Sequence, residues 1–278
     1  MTTLTVPVRR AEDASLRPLP WRRMAWVTWR HHRIALGGVA VFLGALAVWL
    51  WIAGLQLHHA YATAIACQPA SSAACNGLFI NFNLINGVLK GGLPLQPVPA
   101  LIGAFVGAPL LARELETGTF RYAWTQGFGR WRWALAKVVT IAVAVAVVAG
   151  AFSVLVSWYY QPYIATGNGT ASSLASPLSP GLFDLRGVAF AAWTLTAFAI
   201  GAVAGMLIRR VVPSIVATLA VYTGLALVAG IVLRHTRWAN NHPASHFWPL
   251  QWIEGGCLLA LSALLVAIAV WLAHRRAA

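Results

Sequence analysis

The chain has 278 residues, 59% of them hydrophobic and only 9% charged, with 20 Lys and Arg against six Asp and Glu. A net charge of +14 would suit a nucleic-acid binder, but no stretch remains to fold as the soluble domain that would carry such a surface, so nucleic acid is excluded as a partner. The composition is that of a membrane protein, and the basic excess needs an explanation in terms of a bilayer.

Residues 1–20 are polar, contain Pro7, Pro18 and Pro20, and read as a flexible cytoplasmic tail. Residues 21–33, WRRMAWVTWRHHR, read as a short basic Trp/Arg helix lying along the membrane interface. Apolar runs follow at Ile34–Leu57, Leu93–Ala112, Trp133–Trp158, Gly187–Ile208, Val211–Leu233 and Trp252–Ala273. Each has about the 20 residues that a helix needs to cross the hydrocarbon core. In lipid, backbone amides find no water, so each run must be helical. The expected fold is an all-α polytopic membrane protein with six transmembrane helices in a single domain over residues 34–273. Pro94, Pro97 and Pro99 crowd the start of the second run, whose regular helix is expected to begin near Pro97 or Pro99. The fourth and fifth runs are joined by little more than Arg209-Arg210, a tight antiparallel hairpin. The segments from His58 to Gly92 and from Tyr159 to Leu185 read as loops rich in small and polar residues.

Charge sets the expected orientation. Of the 20 Lys and Arg residues, 16 fall in the N-terminal segment, the second and fourth loops and the C-terminal tail. Basic residues stay on the cytoplasmic side, so both termini are expected to be cytoplasmic. Trp21, Trp26, Trp29, Trp124, Trp131, Trp133 and Trp271 would then mark the inner boundary, and Trp158, Trp238, Trp248 and Trp252 the outer one. The first run is too long for a signal h-region and is expected to be a retained anchor.

Cys67 and Cys75 share one outward loop and are a candidate disulfide, the alternative being two free thiols; Cys257 reads as a small core residue. Gly103 and Gly107 in the second run, and Ala197, Gly201 and Gly205 in the fourth, form small-residue faces suited to close helix approach. They read as packing within one chain or as a subunit interface. None of the six acids sits at the middle of a run. Ion-coupled transporters and proton relays usually need such a group, so an energy source outside this polypeptide is expected. No G-x-S-x-G, H-E-x-x-H or P-loop pattern occurs, and no catalytic or metal-binding residue is assigned. His242, His246 and Glu254 are close in sequence, yet a metal would need three or four converging ligands. Glu254 is expected to pair with Arg234 or Arg237, or to stay solvated.

The densest constellation is the second loop, residues 113–132, within LLARELETGTFRYAWTQGFGRWRWALAK. Arg113, Glu114 and Glu116 lead out of the membrane, and Gly118 breaks the helix. Thr119 can cap a short helix from Phe120 to Gln126, on which Phe120, Ala123 and Trp124 share an apolar face. Gly127 and Gly129 end it, and Arg130 and Lys137 lead into the third run.

These residues resemble the permease subunits of bacterial type-two ABC exporters. That family typically shows Arg-Glu-x-Glu-x-Gly-Thr after its second helix, then an Arg, then a Lys entering the third. Here the pattern stands as Arg113, Glu114, Glu116, Gly118, Thr119, Arg130 and Lys137. Where relatives often have Pro before the Arg, this chain has Gly127-Phe128-Gly129. The resemblance implies two permease copies, identical or not, in the bacterial plasma membrane, docked on separate cytoplasmic ATP-binding subunits. ATP and Mg would be bound by that partner, and no cofactor by this chain. Glu114 to Gln126 would be the coupling helix, with Glu114 and Glu116 making polar contacts to the ATPase and Phe120 and Trp124 serving as apolar anchors. Two other classes compete: a non-transporting sensor, immunity or scaffold protein that uses the same loop to recruit a partner, and an intramembrane enzyme or metal-handling protein built on the outer His residues.

Overall fold

The computed structural model describes residues 21–69, 72–85, 94–118, 130–165, 180–230 and 247–275. The helices are α1 (Trp21–Ala66), α2 (Ala73–Ile85), α3 (Val98–Thr117), α4 (Arg130–Ala165), α5 (Pro180–Leu185), α6 (Gly187–Ile208), α7 (Val211–Val228) and α8 (Phe247–Arg275). Among the described residues there is no strand, and α1, α3, α4, α6, α7 and α8 contain stretches long and apolar enough to cross a bilayer.

Several helices outrun the apolar runs that announce them. α1 has 46 residues, so the segment 21–33 is not a separate surface helix but the first turns of the membrane helix itself. At 1.5 Å per residue it spans about 69 Å, well beyond the roughly 30 Å of hydrocarbon. No glycine or proline occurs from Trp21 to Leu36, and a change of polarity alone does not break a helix. The same holds at the other end: His58 to Ala66 remains helical, and α2 adds a further helix inside the supposed loop. α4 likewise continues to Ala165 through Pro162, α5 occupies the end of the next loop, and α8 starts at Phe247. α3 starts at Val98, among the prolines, and runs on to Thr117, so Arg113, Glu114 and Glu116 are its last turns and not a loop.

α3 also has an irregularity. Gly103–Gly107 is a π-helical turn, closed by the Ala108 N–H on the Gly103 carbonyl. Pro109 explains it: proline has no N–H to give the carbonyl four residues back and would clash with it, and one wider turn relieves both problems.

α6 is the centre of the bundle, packing against α3, α4, α7 and α8. Gly103 faces Ala197, Gly107 faces Phe198, and Gly205 faces Ala108 and Ala112, so α3 and α6 run parallel. A Cβ on Gly103 would lie 2.5 Å from the Ala197 carbonyl oxygen, and one on Gly205 2.6 Å from that of Ala108. Backbone therefore meets backbone, which only the smallest residues permit. α8 runs parallel to α6 on another side, matching Gln251 to Ala189, Glu254 to Trp193 and Ser262 to Thr196. α4 packs antiparallel, with Phe152 against Phe190 and Ser153 donating to the Gly187 carbonyl at 2.8 Å. α1 sits outside, on α4. There Trp158 is stacked between Trp51 and His58, at 4.7 and 4.6 Å between ring centroids, over Gly54. Trp158 is thus a helix-packing residue as well as a boundary one. Cys257 is exposed on α8 and not a core residue, because α8 turns to α6 the face carrying Gln251, Gly255, Leu258 and Ser262.

Candidate functional site

The end of the bundle that carries the Arg113 and Arg209 pairs of turns is where the sequence concentrates its motif. Three ties converge there. Lys137, in the second turn of the membrane part of α4, forms an ion pair with Glu114 of α3. The lysine side chain is 5% exposed and that of Glu114 16%, so the pair is largely shut off from water. Two residues further, about half a turn around the helix, Glu116 reaches the other way. Its Oε2 accepts a hydrogen bond of 3.0 Å from the backbone N–H of Val211, the first residue of α7. The opening N–H groups of a helix have no intrahelical acceptor, and a carboxylate there also suits the helix dipole. α3 then ends at Gly118, whose φ of 70° is left-handed and natural for glycine.

The third tie is the link between α6 and α7. Arg209 takes φ 58°, rare for a residue with a Cβ, and its N–H caps α6 on the Gly205 carbonyl at 3.1 Å. Arg210 is extended, and α7 begins. Neighbouring residues Glu114 and Glu116 therefore clamp α3 to α4 on one side and to the α6–α7 hairpin on the other. Sequence reasoning found both acids but not their partners. The resemblance gives both acids to contacts with an ATPase; within the chain Glu114 also pairs with Lys137.

Of the other motif residues, Arg113 is exposed on α3 and Arg130 opens α4, its side chain being outside the described residues. Thr119, Phe120 and Trp124 also lie outside the described residues. The small residues Gly103, Gly107, Ala197, Gly201 and Gly205 meet one another within the chain, between α3 and α6. This is packing within one chain, the first of the two readings given for these faces.

At the opposite end Cys67 and Cys75 form a disulfide, with Cα atoms 5.6 Å apart. The α5–α6 junction is held by Gln251, fully buried: its Oε1 accepts from Ala189 N–H at 2.8 Å, and its Nε2 donates to the Phe183 carbonyl at 2.8 Å. Gly187, at φ 62°, leaves room for that carboxamide. Below it Trp193 Nε1 donates to Glu254 Oε1 at 3.0 Å, a partner not anticipated for Glu254; Arg234, Arg237, His242 and His246 lie outside the described residues. Thr196 completes the seam with Ser262 and the Leu258 carbonyl. Arg186 lies over the Phe247 ring at 5.2 Å, and burial pushes its guanidinium below the usual arginine range.

Compared with known protein families, residues 40–234 match the model of the family described as ABC-2 membrane transporter related. That stretch includes all of α2 to α7. The chain belongs to the ABC-2 membrane transporter related family. It is therefore an ABC-2 type permease, a membrane component of an ABC transporter that works with an ATP-binding subunit. No curated protein and no solved structure matches the chain. Within this ABC-2 protein, the clamp of Glu114 and Glu116 lies inside the matched region, while α8 and the start of α1 lie outside it.

Proposed function

We propose that the protein is the permease subunit of an ATP-driven exporter in the bacterial plasma membrane, and that the segment following α3 couples it to a separate ATPase. The carrying observation is the double tie at the end of α3: Glu114 to Lys137 and Glu116 to Val211 N–H. A push delivered at Gly118 meets a helix fastened to α4 and to the α6–α7 hairpin, and lying with backbone contact along α6. Force at that point moves several membrane helices together instead of bending one loop. Only an interaction that differs between two arrangements can do such work. The coupling contact itself is assigned to the segment from Glu116 to Gln126, with Phe120 and Trp124 as apolar anchors and Arg113 at its entrance. Two permease copies, two ATPases and cytoplasmic termini complete the reading, the basic end of the bundle being the cytoplasmic one.

The test is affinity purification from the native membrane in mild detergent, with assay of the eluate for ATP hydrolysis. A stoichiometric P-loop ATPase is expected, together with its loss in Glu116→Ala protein that still melts like the wild type. A clean eluate from folded protein would shift the reading to a membrane sensor or scaffold that recruits some other partner. Glu114→Ala is the poorer probe, since it also leaves Lys137 without its counter-ion.

A further inference from the structure

Between α1 and α2 lies an open cavity of about 520 Å³, lined by Leu55, Gln56, His59, Ala60, Thr63 and Asn81. Its chemistry changes along one stripe of α1. Val48, Ile52 and Leu55 are exposed and apolar; Gln56, His59 and Thr63 follow Ile52 at i+4, i+7 and i+11 on the same face and are polar. One turn of helix is about 5 Å, so the switch from apolar to polar is as sharp as the boundary between acyl chains and headgroups. It falls in about the last three turns of the candidate span Gly37–Ala66. Asn81 of α2 adds a further polar side chain to the lining.

The cavity has firm walls. α2 is tethered by the Cys67–Cys75 disulfide and packed by Phe82, 1% exposed, against Tyr61 at 5.7 Å between centroids. The side chains of Gln56, His59 and Asn81 make no hydrogen bond among the described residues, while the Thr63 hydroxyl is turned back to the Ala60 carbonyl at 2.9 Å. Three hydrogen-bonding groups, two of them carboxamides, thus converge with no carboxylate among the lining residues. That set suits an acceptor-rich group such as a phosphate diester, and the apolar stripe beneath suits an alkyl chain.

We propose that this cavity is a binding site for one phospholipid of the leaflet at the disulfide end. Its phosphate lies among Gln56, His59 and Asn81, and one acyl chain runs along Leu55, Ile52 and Val48. The inference is independent of ATPase coupling and needs only that α1 spans the membrane.

The experiment uses the full-length protein, purified in detergent and mixed with phosphatidylglycerol, with bound lipid counted by native mass spectrometry. The expected result is one lipid retained after detergent exchange. The triple variant Gln56→Ala, His59→Ala, Asn81→Ala should hold it about tenfold less tightly or worse, while its disulfide and melting temperature are unchanged. Equal retention by the folded variant, or equal retention of diacylglycerol lacking the phosphate, would overturn the headgroup assignment. Displacement of the lipid by millimolar inorganic phosphate would overturn the lipid as occupant. Should the variant fail to fold, phosphatidylglycerol with a photoreactive group at the top of an acyl chain is crosslinked to wild-type protein. Label confined to the peptide spanning 48–63 supports the site, and label spread evenly over α7 and α8 sinks it.

Discussion

α6 and α7 follow one another in the chain, are joined by two arginines, and are both strongly apolar with a few hydroxyls, though α6 is the richer in Ala and Gly and α7 in Val. Their surroundings could hardly differ more. In α6, 67% of the most apolar stretch is buried inside the protein; in α7 the figure is 17%. The glycines show why. Gly201 and Gly205 of α6 lie against the α3 backbone, whereas a Cβ on Gly224 of α7 would meet nothing within 4 Å. Hydropathy places both helices in a membrane with equal force, because lipid and protein interior are equally apolar. What separates them is which face is small enough to admit another backbone.

The comparison can be broken by substitution. The largest effect is expected from Gly201→Leu, which would drive a side chain into the α3 backbone at Gly103 and Ala108. Overpacking costs about 1–3 kcal/mol where neighbours can give way, and more where the obstacle is backbone. The expected result is loss of folded, monodisperse protein in size-exclusion chromatography, while Gly224→Leu elutes normally. If both behave alike, the division between the helices is wrong. Next comes Glu114→Ala, which removes the carboxylate paired with a buried lysine; breaking a buried pair costs about 3–5 kcal/mol. A lower melting temperature is expected, most of it restored when Lys137→Met is added. Failure of the double variant to recover would mean that the pair contributes little.

Smaller effects sharpen the picture. Gln251→Ala leaves Ala189 N–H and the Phe183 carbonyl without their partner, a loss of about 1–3 kcal/mol. Thermal unfolding should report it, and a melting temperature within error of wild type would show that the α5–α6 junction does not depend on that carboxamide. Glu116→Ala removes only an exposed helix-end contact, worth about 0.3–1 kcal/mol, so stability should barely change while ATPase docking is lost. Cys67 and Cys75 should resist thiol labelling until reduced, whereas Cys257, exposed on α8, should react with a membrane-permeant reagent beforehand.

The site was half legible for a related reason. Arg113, Glu114, Glu116, Gly118 and Lys137 stand out by residue type and spacing, because the chain has only six acidic residues and two of them fall together here. Their partners do not stand out. Glu114 and Lys137 are 23 residues apart, and Glu116 and Val211 are 95 apart, with nothing in either local pattern to link them. Val211 N–H is moreover a backbone donor, invisible to any reading of side chains. Glu254 shows the same limit: it accepts a hydrogen bond from the Trp193 indole on a different helix, and nothing in its own segment announces that contact.

By itself, then, the sequence determined the membrane setting, six spanning helices, the tight α6–α7 turn and the motif that marks the end of α3. These follow from the lipid's refusal to satisfy backbone amides and from local breakers, both of which act within a single segment. Tertiary structure alone decided that α6 is central, that α3 and α8 run parallel beside it, that α1 is one helix from Trp21 to Ala66, and that Glu114 pairs with Lys137. Each of these depends on contacts between segments distant in the chain, or on the absence of a breaker where polarity changes. A one-dimensional pattern of hydropathy records neither.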